Sequence, residues 1–599
     1  YRRALEIYEK GLGKDHPNIA GSLNNLAGLL KAKGDYEGTE ALYRRSLEIY
    51  EKGLGKEHPN VANSLNNLGI FLMQQNRKEA GKEYLLRSFN ILSKNMNLIF
   101  PTLTERQQEG YLNKHFRKPL NTYLSIFTEP FEQNDIYQNL FLYRGINSRI
   151  LRNRTRAISN PNAASLFAQL KEARTFYANL FLSPDSKLSL EVQQKLLKVA
   201  IERKESLERQ LCSASEEFRK SDILSKMTLA DLQKTLEEKA VIVDFLFYQH
   251  ITDWKNWTQE ERVLAFVITK DSPILRIDLG LSGPIRSAVK AFRQQLQRGQ
   301  EIHIDDLPAD QYLSQLLWKP LEEVLSDKQI LYLIPDEELA FIPFEALRSE
   351  QEGELQYLTE IKSIAYLSSP QDLIEFSMEN EVNPNSFLCL GDVAYSESPE
   401  LSISPSLEGL RTTDSVVNEV WGDLPGTAQE CEFLVHSFQT VFPTQSNEYL
   451  GQKKASKALL LEKAVGKRYL HWATHGFFKT IPKASMPQDK QRSRGGLISL
   501  WSEEEEPARN KIPEGVNPML YSGIVLAGAN LDKKGEQGKG KEEGLLTAEE
   551  LAGMNLSGTE LLTLSACETA LGEGLSGQGV SGLRLATQVA GARATLLSL

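Results

Sequence analysis

The sequence predicts a multidomain chain in which an all-α solenoid and a helical linker precede an α/β domain with a mainly parallel sheet covered by helices. Three observations lead to this prediction: a 42-residue unit repeats near the start, a stretch rich in Glu, Lys, Gln and Leu follows, and strand and helix patterns alternate in the remainder. The predicted boundaries are 1–95 for the repeats, 96–235 for the linker and 236–599 for the α/β domain.

The repeated unit is predicted to be a pair of helices. The run over 1–14 recurs over 43–56 with a single change, Ser46 for Ala4, and later His-Pro and Leu-Asn-Asn-Leu recur at the same offset. Within each unit, apolar residues fall at helical spacing on either side of a Gly-containing break. A lone helix pair cannot bury its apolar face, so the units are expected to stack into a solenoid.

This unit resembles the longer tetratricopeptide repeats of kinesin light chains, through its Asn-Asn-Leu, Gly-Asp-Tyr and Leu-Gly-Lys-x-His-Pro motifs. The resemblance implies binding of a protein or peptide partner. The first helices, which usually line the concave face of such arrays, carry two pairs of asparagines: Asn24, Asn25, Asn66 and Asn67. Because an amide side chain both donates and accepts, these four are predicted to grip a peptide backbone. Polar contacts between packed helices are the alternative.

The composition limits the classes of function that are possible. Hydrophobic residues make up 41% of the chain, charged residues 25%, and the formal net charge is −10, so no nucleic-acid partner is expected. No apolar run reaches the roughly 18 residues of a membrane span. The four cysteines are far apart and lack CxxC spacing, which argues against a disulfide framework and a zinc site and favours a reducing, cytoplasmic location. No metal or organic cofactor is implied. Both ends interrupt a pattern, so the sequence is expected to be truncated at each.

The α/β domain is predicted from runs of β-forming residues with helical stretches between them. The runs over 263–269 and 274–279 are predicted to form a hairpin. Helices are predicted over 428–438, 456–465, 547–554 and 583–590. Two polar stretches, 479–517 and 531–544, are predicted to be surface loops.

Two predicted strands are followed by residues whose side chains can take part in catalysis. One runs into His475-Gly476 and the other into Cys567. The carboxyl ends of parallel strands meet at one edge of a sheet, so both side chains are expected there. A neighbouring imidazole can deprotonate a thiol, and the backbone N–H groups of Gly476 and Cys567 are the natural donors to an oxyanion. A buried cysteine and a loop-stabilising histidine remain equally reasonable from these residues alone.

The surrounding motifs narrow the choice. His-x-x-Thr-His-Gly is followed by Leu-Ser-Ala-Cys-Glu-Thr-Ala-Leu-Gly, and supporting motifs occur in order at 334–336, 342–347, 424–427, 522–527, 544–548 and 579–583. Over 236–599 the chain therefore resembles the CHAT family, relatives of caspases and separases. The resemblance implies a cysteine endopeptidase acting on a protein substrate, with His475 as general base and Cys567 as nucleophile.

Three further residues receive secondary predictions. His471, four residues before His475, is expected on the same face of a continuing strand and in a supporting role. Glu568 is expected to hold the loop after the nucleophile. Asp336, just past a strand end, could read a basic substrate side chain, although a turn residue is the commoner role for an Asp in Pro-Asp-Glu-Glu.

Two other functions stay open. A non-catalytic scaffold would keep the fold and use the repeats for protein–protein interaction. Another thiol enzyme, such as a transferase, would rest on the Cys–His pair alone.

Overall fold

The computed structural model describes most of the chain. The described residues are 16–99, 111–112, 116–146, 165–166, 168–170, 172–173, 176, 196, 198–200, 202–207, 209–210, 227–351, 353–378, 383–400, 420–478, 519, 522–531, 544–565, 572–575 and 579–597.

Helices and strands are named here in chain order. The helices are α1 Pro17–Ala32, α2 Tyr36–Leu54, α3 Pro59–Gln74, α4 Lys78–Ile99, α5 Arg117–Ile126, α6 Gln133–Tyr143, α7 Leu229–Thr235, α8 Ser282–Arg298, α9 Ala309–Leu317, α10 Glu322–Leu325, α11 Leu358–Ile361, α12 Gln371–Met378, α13 Gly426–Val441, α14 Lys457–Lys463, α15 Ala548–Ala552 and α16 Leu583–Ala590. The strands are β1 Ala240–Asp253, β2 Thr258–Ile268, β3 Leu275–Leu281, β4 His303–Ile304, β5 Leu307–Pro308, β6 Ile330–Ile334, β7 Arg348–Gln351, β8 Glu354–Tyr357, β9 Ser363–Tyr366, β10 Ser386–Val393, β11 Ser446–Gln452, β12 Tyr469–Ala473, β13 Gly476–Phe478, β14 Ser522–Val525, β15 Leu545–Thr547, β16 Leu561–Ser565, β17 Gly572–Leu575, β18 Gly579–Gly582 and β19 Ala594–Leu597.

The repeated His-Pro pair starts the first helix of each unit. The imidazole of His16 accepts the N–H of Asn18 at 3.2 Å, and that of His58 accepts the N–H of Asn60 at 3.1 Å. Each following proline occupies the first turn, where a missing N–H costs no hydrogen bond. The 42-residue period is therefore a period of helix caps as well as of apolar residues.

The helices of each unit are joined by a buried serine. Ser46 on α2 donates to the carbonyl oxygen of Ala20 at 2.8 Å, and Ser88 on α4 donates to that of Ala62 at 2.7 Å. These bonds stand 42 residues apart in the sequence and join equivalent positions. The predicted pairs of helices and their stacking are confirmed.

The repeats, the linker helices and one sheet share a continuous apolar core. Phe89 of α4 stacks on Tyr123 of α5 with ring centroids 4.2 Å apart. On the other side, Ser125 of α5 accepts the N–H of Ile251 in β1 at 3.0 Å. The linker helix α5 is thus packed between the repeat array and the α/β part of the chain.

The first sheet has the order β3-β2-β1-β6-β9. Strands β1, β2 and β3 are antiparallel neighbours, whereas β6 and β9 continue the sheet in parallel. The predicted hairpin is confirmed as β2 and β3.

The second sheet has the order β11-β10-β12-β16-β19, and every neighbouring pair is parallel. One face packs through Leu470 and Trp472 against a large core cluster, and the other packs through Phe387 and Cys389 against α13. The prediction of a mainly parallel sheet covered by helices is confirmed, but the strands divide among several sheets: β13, β14 and β15 form a separate antiparallel sheet, and three further strand pairs stand apart. Local patterns identify strands without specifying which partners they choose.

Candidate active site

His475 lies immediately beyond the carboxyl end of β12, near the middle of the second sheet. The N–H of the preceding Thr474 donates to the carbonyl oxygen of Ser565 at 3.2 Å, which continues the pairing of β12 with β16. The carbonyl oxygen of His475 accepts the N–H of Val525 at 2.9 Å. Backbone bonds on both sides therefore fix the position from which the imidazole projects.

The imidazole of His475 lies close to two aromatic rings. Its centroid is 5.2 Å from that of Tyr395 and 5.3 Å from that of Trp421. Nε2 is 2.7 Å from the carbonyl oxygen of Gly422. A carbonyl oxygen can only accept, so Nε2 carries the hydrogen, and Nδ1 of the neutral ring is left as the proton acceptor.

The side chain of Asn530 holds the Trp421–Gly422 segment in place. The amide oxygen of Asn530 accepts the N–H of Trp421 at 2.8 Å, and its amide nitrogen donates to the Trp421 carbonyl oxygen at 2.7 Å. The backbone N–H of Asn530 donates to the carbonyl oxygen of Tyr395 at 2.9 Å. One asparagine thus connects both segments that contact the His475 ring.

Cys567 and Glu568 lie outside the described residues. Their strand can nevertheless be located, because Ser565 at the end of β16 is the register partner of Ala473 at the end of β12. His475 and Cys567 each follow these paired residues by two positions. Neighbouring strands run about 4.8 Å apart, so the paired ends of β12 and β16 lie side by side at the same edge of the sheet.

Gly476 begins β13 opposite Ile524 of β14. The bond from the Val525 N–H to the His475 carbonyl oxygen flanks this pair. Gly476 therefore occupies a non-hydrogen-bonded position, in which its own N–H points away from β14. That orientation suits the predicted oxyanion donor, and the role itself stays a prediction.

His471 lies within β12 and makes a different contact. Its Nε2 is 2.9 Å from Oε1 of Glu430 on α13, and the residue is 8% exposed. Burial lowers the pKa of His471 below its ordinary value, and the nearby Glu430 carboxylate partly opposes that shift. The expected alternation with His475 does not hold, because β12 ends at Ala473 and the chain turns into another sheet.

A disulfide lies beside this pair. Cys389 of β10 is bonded to Cys431 of α13, and both side chains are fully buried. Wide spacing of the cysteines argued against disulfides, and the structure corrects that inference for one pair. The reason is tertiary, because the fold lays α13 against β10 and brings together residues that are 42 positions apart. Cys212 lies outside the described residues.

Comparison with protein-family models gives two matches. A CHAT domain model matches residues 308–599, and a tetratricopeptide repeat model matches residues 18–94. The chain combines tetratricopeptide repeats with a CHAT domain. None of the curated proteins compared with the chain matches it.

The CHAT match begins at residue 308, but the sheet that it enters begins earlier. Strand β1 pairs in parallel with β6, which lies inside the matched region. The structural unit that contains the CHAT domain thus includes upstream strands. Within the part of the chain that the structure describes, no helix is long and apolar enough to cross a membrane.

Asp336 belongs to the first sheet and not to the edge that carries His475. It follows β6, is fully buried, and accepts the N–H of Phe247 at 2.9 Å. Its Oδ1 also lies 3.6 Å from Nη1 of Arg144. A carboxylate with these internal partners is not presented to a substrate, so its placement favours the structural alternative over the pocket role.

The four asparagines of the repeats occupy three kinds of environment. Asn24 is half-buried and its amide lies 3.5 Å from the hydroxyl of Ser64 on the next unit, while Asn66 is buried. Asn25 is exposed and Asn67 is half-buried. One member of each pair therefore contributes to packing, and the other remains accessible to a ligand.

The contacts to His475 include residues that the sequence did not single out. Trp421 and Gly422 stand just before the CHAT motif at 424–427. Tyr395 and Asn530 follow strands β10 and β14. Position after a strand in an α/β domain was the available signal, but it applies to many residues.

Proposed function

We propose that the CHAT domain is a caspase-like cysteine endopeptidase, with Cys567 as nucleophile and His475 as general base. The observation that carries this proposal is the 2.7 Å hydrogen bond from His475 Nε2 to the Gly422 carbonyl oxygen. It leaves Nδ1 as the basic atom, at the sheet edge where β16, the strand that precedes Cys567 in the sequence, also ends. A base fixed in one tautomer by a backbone acceptor suits proton transfer from a thiol.

Acylation follows from this arrangement. His475 Nδ1 takes the thiol proton of Cys567, and the sulfur attacks the carbonyl carbon of the substrate peptide. Negative charge develops on the carbonyl oxygen, where the N–H groups of Gly476 and Cys567 donate to it. Collapse breaks the C–N bond, and the leaving amine takes the proton from the imidazolium.

Deacylation reverses the roles. A water molecule loses a proton to His475 and attacks the thioester, so the C–S bond breaks and the new carboxyl terminus departs. The imidazolium then returns its proton to the sulfur. The Gly422 carbonyl stabilises each imidazolium in turn, because it accepts from Nε2 in both steps.

The repeat array is proposed to bind a protein or peptide partner and to regulate cleavage. Asn25 and Asn67 are the asparagines left accessible for this role. The continuous core from the array through α5 to the first sheet supports a mechanical connection between binding and the CHAT domain. The activity is therefore proposed to be latent until the array is occupied.

We propose a cytoplasmic location, in which the Cys389–Cys431 disulfide would be a transient or redox-sensing bond. Fractionation of cells that express the chain, with antibody detection, tests this proposal.

A peptide library digested by the chain and by its Cys567→Ala variant tests the enzymatic proposal. New termini, mapped by mass spectrometry, should arise only with the unmutated chain and should share one residue before the cut. Termini from both samples would indicate a contaminant. If neither sample yields termini, even after partner-containing lysate is added, the scaffold function is favoured.

A further inference from the structure

The helix that leads into the candidate site is attached covalently to the second sheet. The Cα atoms of Cys389 and Cys431 are 5.7 Å apart, a usual disulfide separation. The strand and the helix come unusually close here, since a Cβ added to Gly391 would lie 2.9 Å from the Cys431 sulfur and 2.8 Å from the Thr427 carbonyl oxygen. Strand β10 and helix α13 are thus fitted to each other around the sulfur pair.

The same helix begins where the His475 contacts end. Helix α13 starts at Gly426, and Gly422, four positions earlier, provides the carbonyl oxygen for His475. Thr427 in the first turn accepts the N–H of Asp392 at 2.8 Å and donates to the Leu424 carbonyl oxygen at 2.7 Å. The position of α13 on the sheet therefore sets the start of the segment that contacts the general base.

A second link runs beside the disulfide. His471 is the register partner of Cys389, and it bonds to Glu430, the neighbour of Cys431. This pair joins α13 to β12, the strand that ends just before His475. When the disulfide is open, the His471–Glu430 contact still keeps the helix on the sheet, so opening should loosen α13 without releasing it.

We propose that Cys389 and Cys431 form a redox-controlled staple that positions His475 through α13 and the Trp421–Gly422 segment. The inference rests on the proposed function of His475 and adds its regulation. Opening takes two electrons and two protons from a dithiol: the S–S bond breaks, two S–H bonds form, and the dithiol closes into its own disulfide. In a reducing compartment, disulfides are mostly redox-sensing or transient, which suits this role.

The effect should appear in the reactivity of Cys567. With the staple closed, His475 is held and the thiolate is favoured, so the apparent pKa for alkylation should fall below the roughly 8.5 of a free thiol. With the staple open, the pKa should return toward that value. Raising the thiol pKa by about one lowers the thiolate fraction near neutral pH about tenfold, and the alkylation rate falls with it.

A thiol count on the full chain comes first. Denaturation in guanidinium with iodoacetamide and no reductant, followed by intact mass measurement, should label two of the four cysteines. Labelling of all four in chain purified without reductant overturns the staple.

The rate test then compares the native chain with the Cys389→Ala/Cys431→Ala variant. Iodoacetamide labelling of the Cys567 peptide is followed by mass spectrometry between about pH 5 and pH 9, spanning the free-thiol pKa of about 8.5. The matched control is Phe438→Leu, which loosens packing on the same helix but keeps the sulfurs. If the double variant does not fold, the native chain reduced with dithiothreitol replaces it.

The outcomes separate the two proposals. We expect a lowered apparent pKa in the native chain and in Phe438→Leu, and about tenfold slower labelling at neutral pH when the staple is absent. A lowered pKa that persists without the staple, or is lost equally in Phe438→Leu, overturns the inference but preserves the enzyme. A free-thiol profile in the native chain refutes the Cys–His pairing itself, and the inference with it.

Discussion

The guanidinium of Arg144 lies 2.6 Å from the carboxylate of Asp244, and their side chains are only 1% and 2% exposed. Tyr137 donates its hydroxyl to the same carboxylate at 2.7 Å, and Arg144 also donates to the carbonyl oxygen of Phe245 at 3.1 Å. Asp336 completes the cluster. Buried charges thus join the end of linker helix α6 to β1 and to the residue that follows β6.

Replacing Arg144 by Met should destabilise the chain strongly. The change leaves the buried carboxylates of Asp244 and Asp336 without their cation, and removal of one partner of a buried pair costs about 3–5 kcal/mol. The free energy of unfolding, measured in urea, checks this. The control is Lys94→Met, which removes an exposed pair with Glu57. A loss no larger than that of the control would contradict the importance of this cluster.

Replacing Trp421 by Ala should slow cleavage while the chain stays folded. The indole packs beside the His475 ring, with the centroids 5.3 Å apart, and misplacement of a catalytic group by about 1 Å can cost about 100-fold in rate. The kcat/KM is measured on a substrate found in the library digestion. Phe433→Ala, an exposed residue of α13, serves as the control and should cleave normally. Equal rates in all three chains would show that the indole does not position the base.

Replacing His471 by Gln should flatten the dependence of stability on pH. Burial lowers the pKa of His471 in the folded chain below its ordinary 6.5. The unfolded chain then binds the proton more readily, so this residue's stability contribution is present above pH 6.5 and is lost as the pH falls through the lowered pKa. Gln cannot titrate, which removes that decline.

The melting temperature across this pH range measures the effect. His436→Gln, an exposed histidine on α13, is the control and should keep the decline. A His471→Gln chain that loses stability with acid as steeply as the unmutated chain would show that this histidine is not responsible.

Deleting residues 1–95 should destabilise the remainder rather than release an intact domain. Phe89 is lost from its stack on Tyr123, and the ion pair of Lys82 with Glu132 at 2.5 Å is lost too. The linker face that they cover becomes exposed, so we expect a lower melting temperature and binding of an apolar dye.

The matched control removes only residues 1–57. Helices α3 and α4 then still cover α5, because each unit of a solenoid contacts chiefly its neighbours. This shorter deletion should melt close to the full chain. If the chain without residues 1–95 also melts at the temperature of the full chain, the array is an independent unit and not part of a shared core.

Several features were predictable because they depend on interactions between residues that are close in the sequence. The His-Pro caps, the period of apolar residues and helix α13 all depend on residues within a few turns of one another. The expected helix over 428–438 is present within Gly426–Val441, and the helix over 583–590 is present at Leu583–Ala590. His475 was found at a strand end as expected, although the catalytic roles stay proposals.

Other features were missed because they join distant parts of the chain. For Asp336 the sequence favoured a structural role over a pocket role but did not specify its partners, Phe247 and Arg144, which are distant in the sequence. The disulfide was missed because cysteine spacing carries no information about the docking of a helix on a strand. His471 was expected on the same face as His475 only if the strand continued between them. Strand β12 ends at Ala473, before His475.

By itself, the sequence determined the order of the parts: a two-helix repeat, linker helices, and an α/β domain with a histidine and a cysteine after two strands. Periodicity, helix caps and motifs involve residues close in the sequence, so they favour the same local structure wherever the segment lies in the fold. The tertiary structure alone decided that the strands divide among several sheets and that Gly422 meets His475 across 53 positions. It also decided that Arg144 is buried among carboxylates. Such contacts depend on which surfaces pack together, and that choice minimises exposed apolar area and unpaired buried charge over the whole chain.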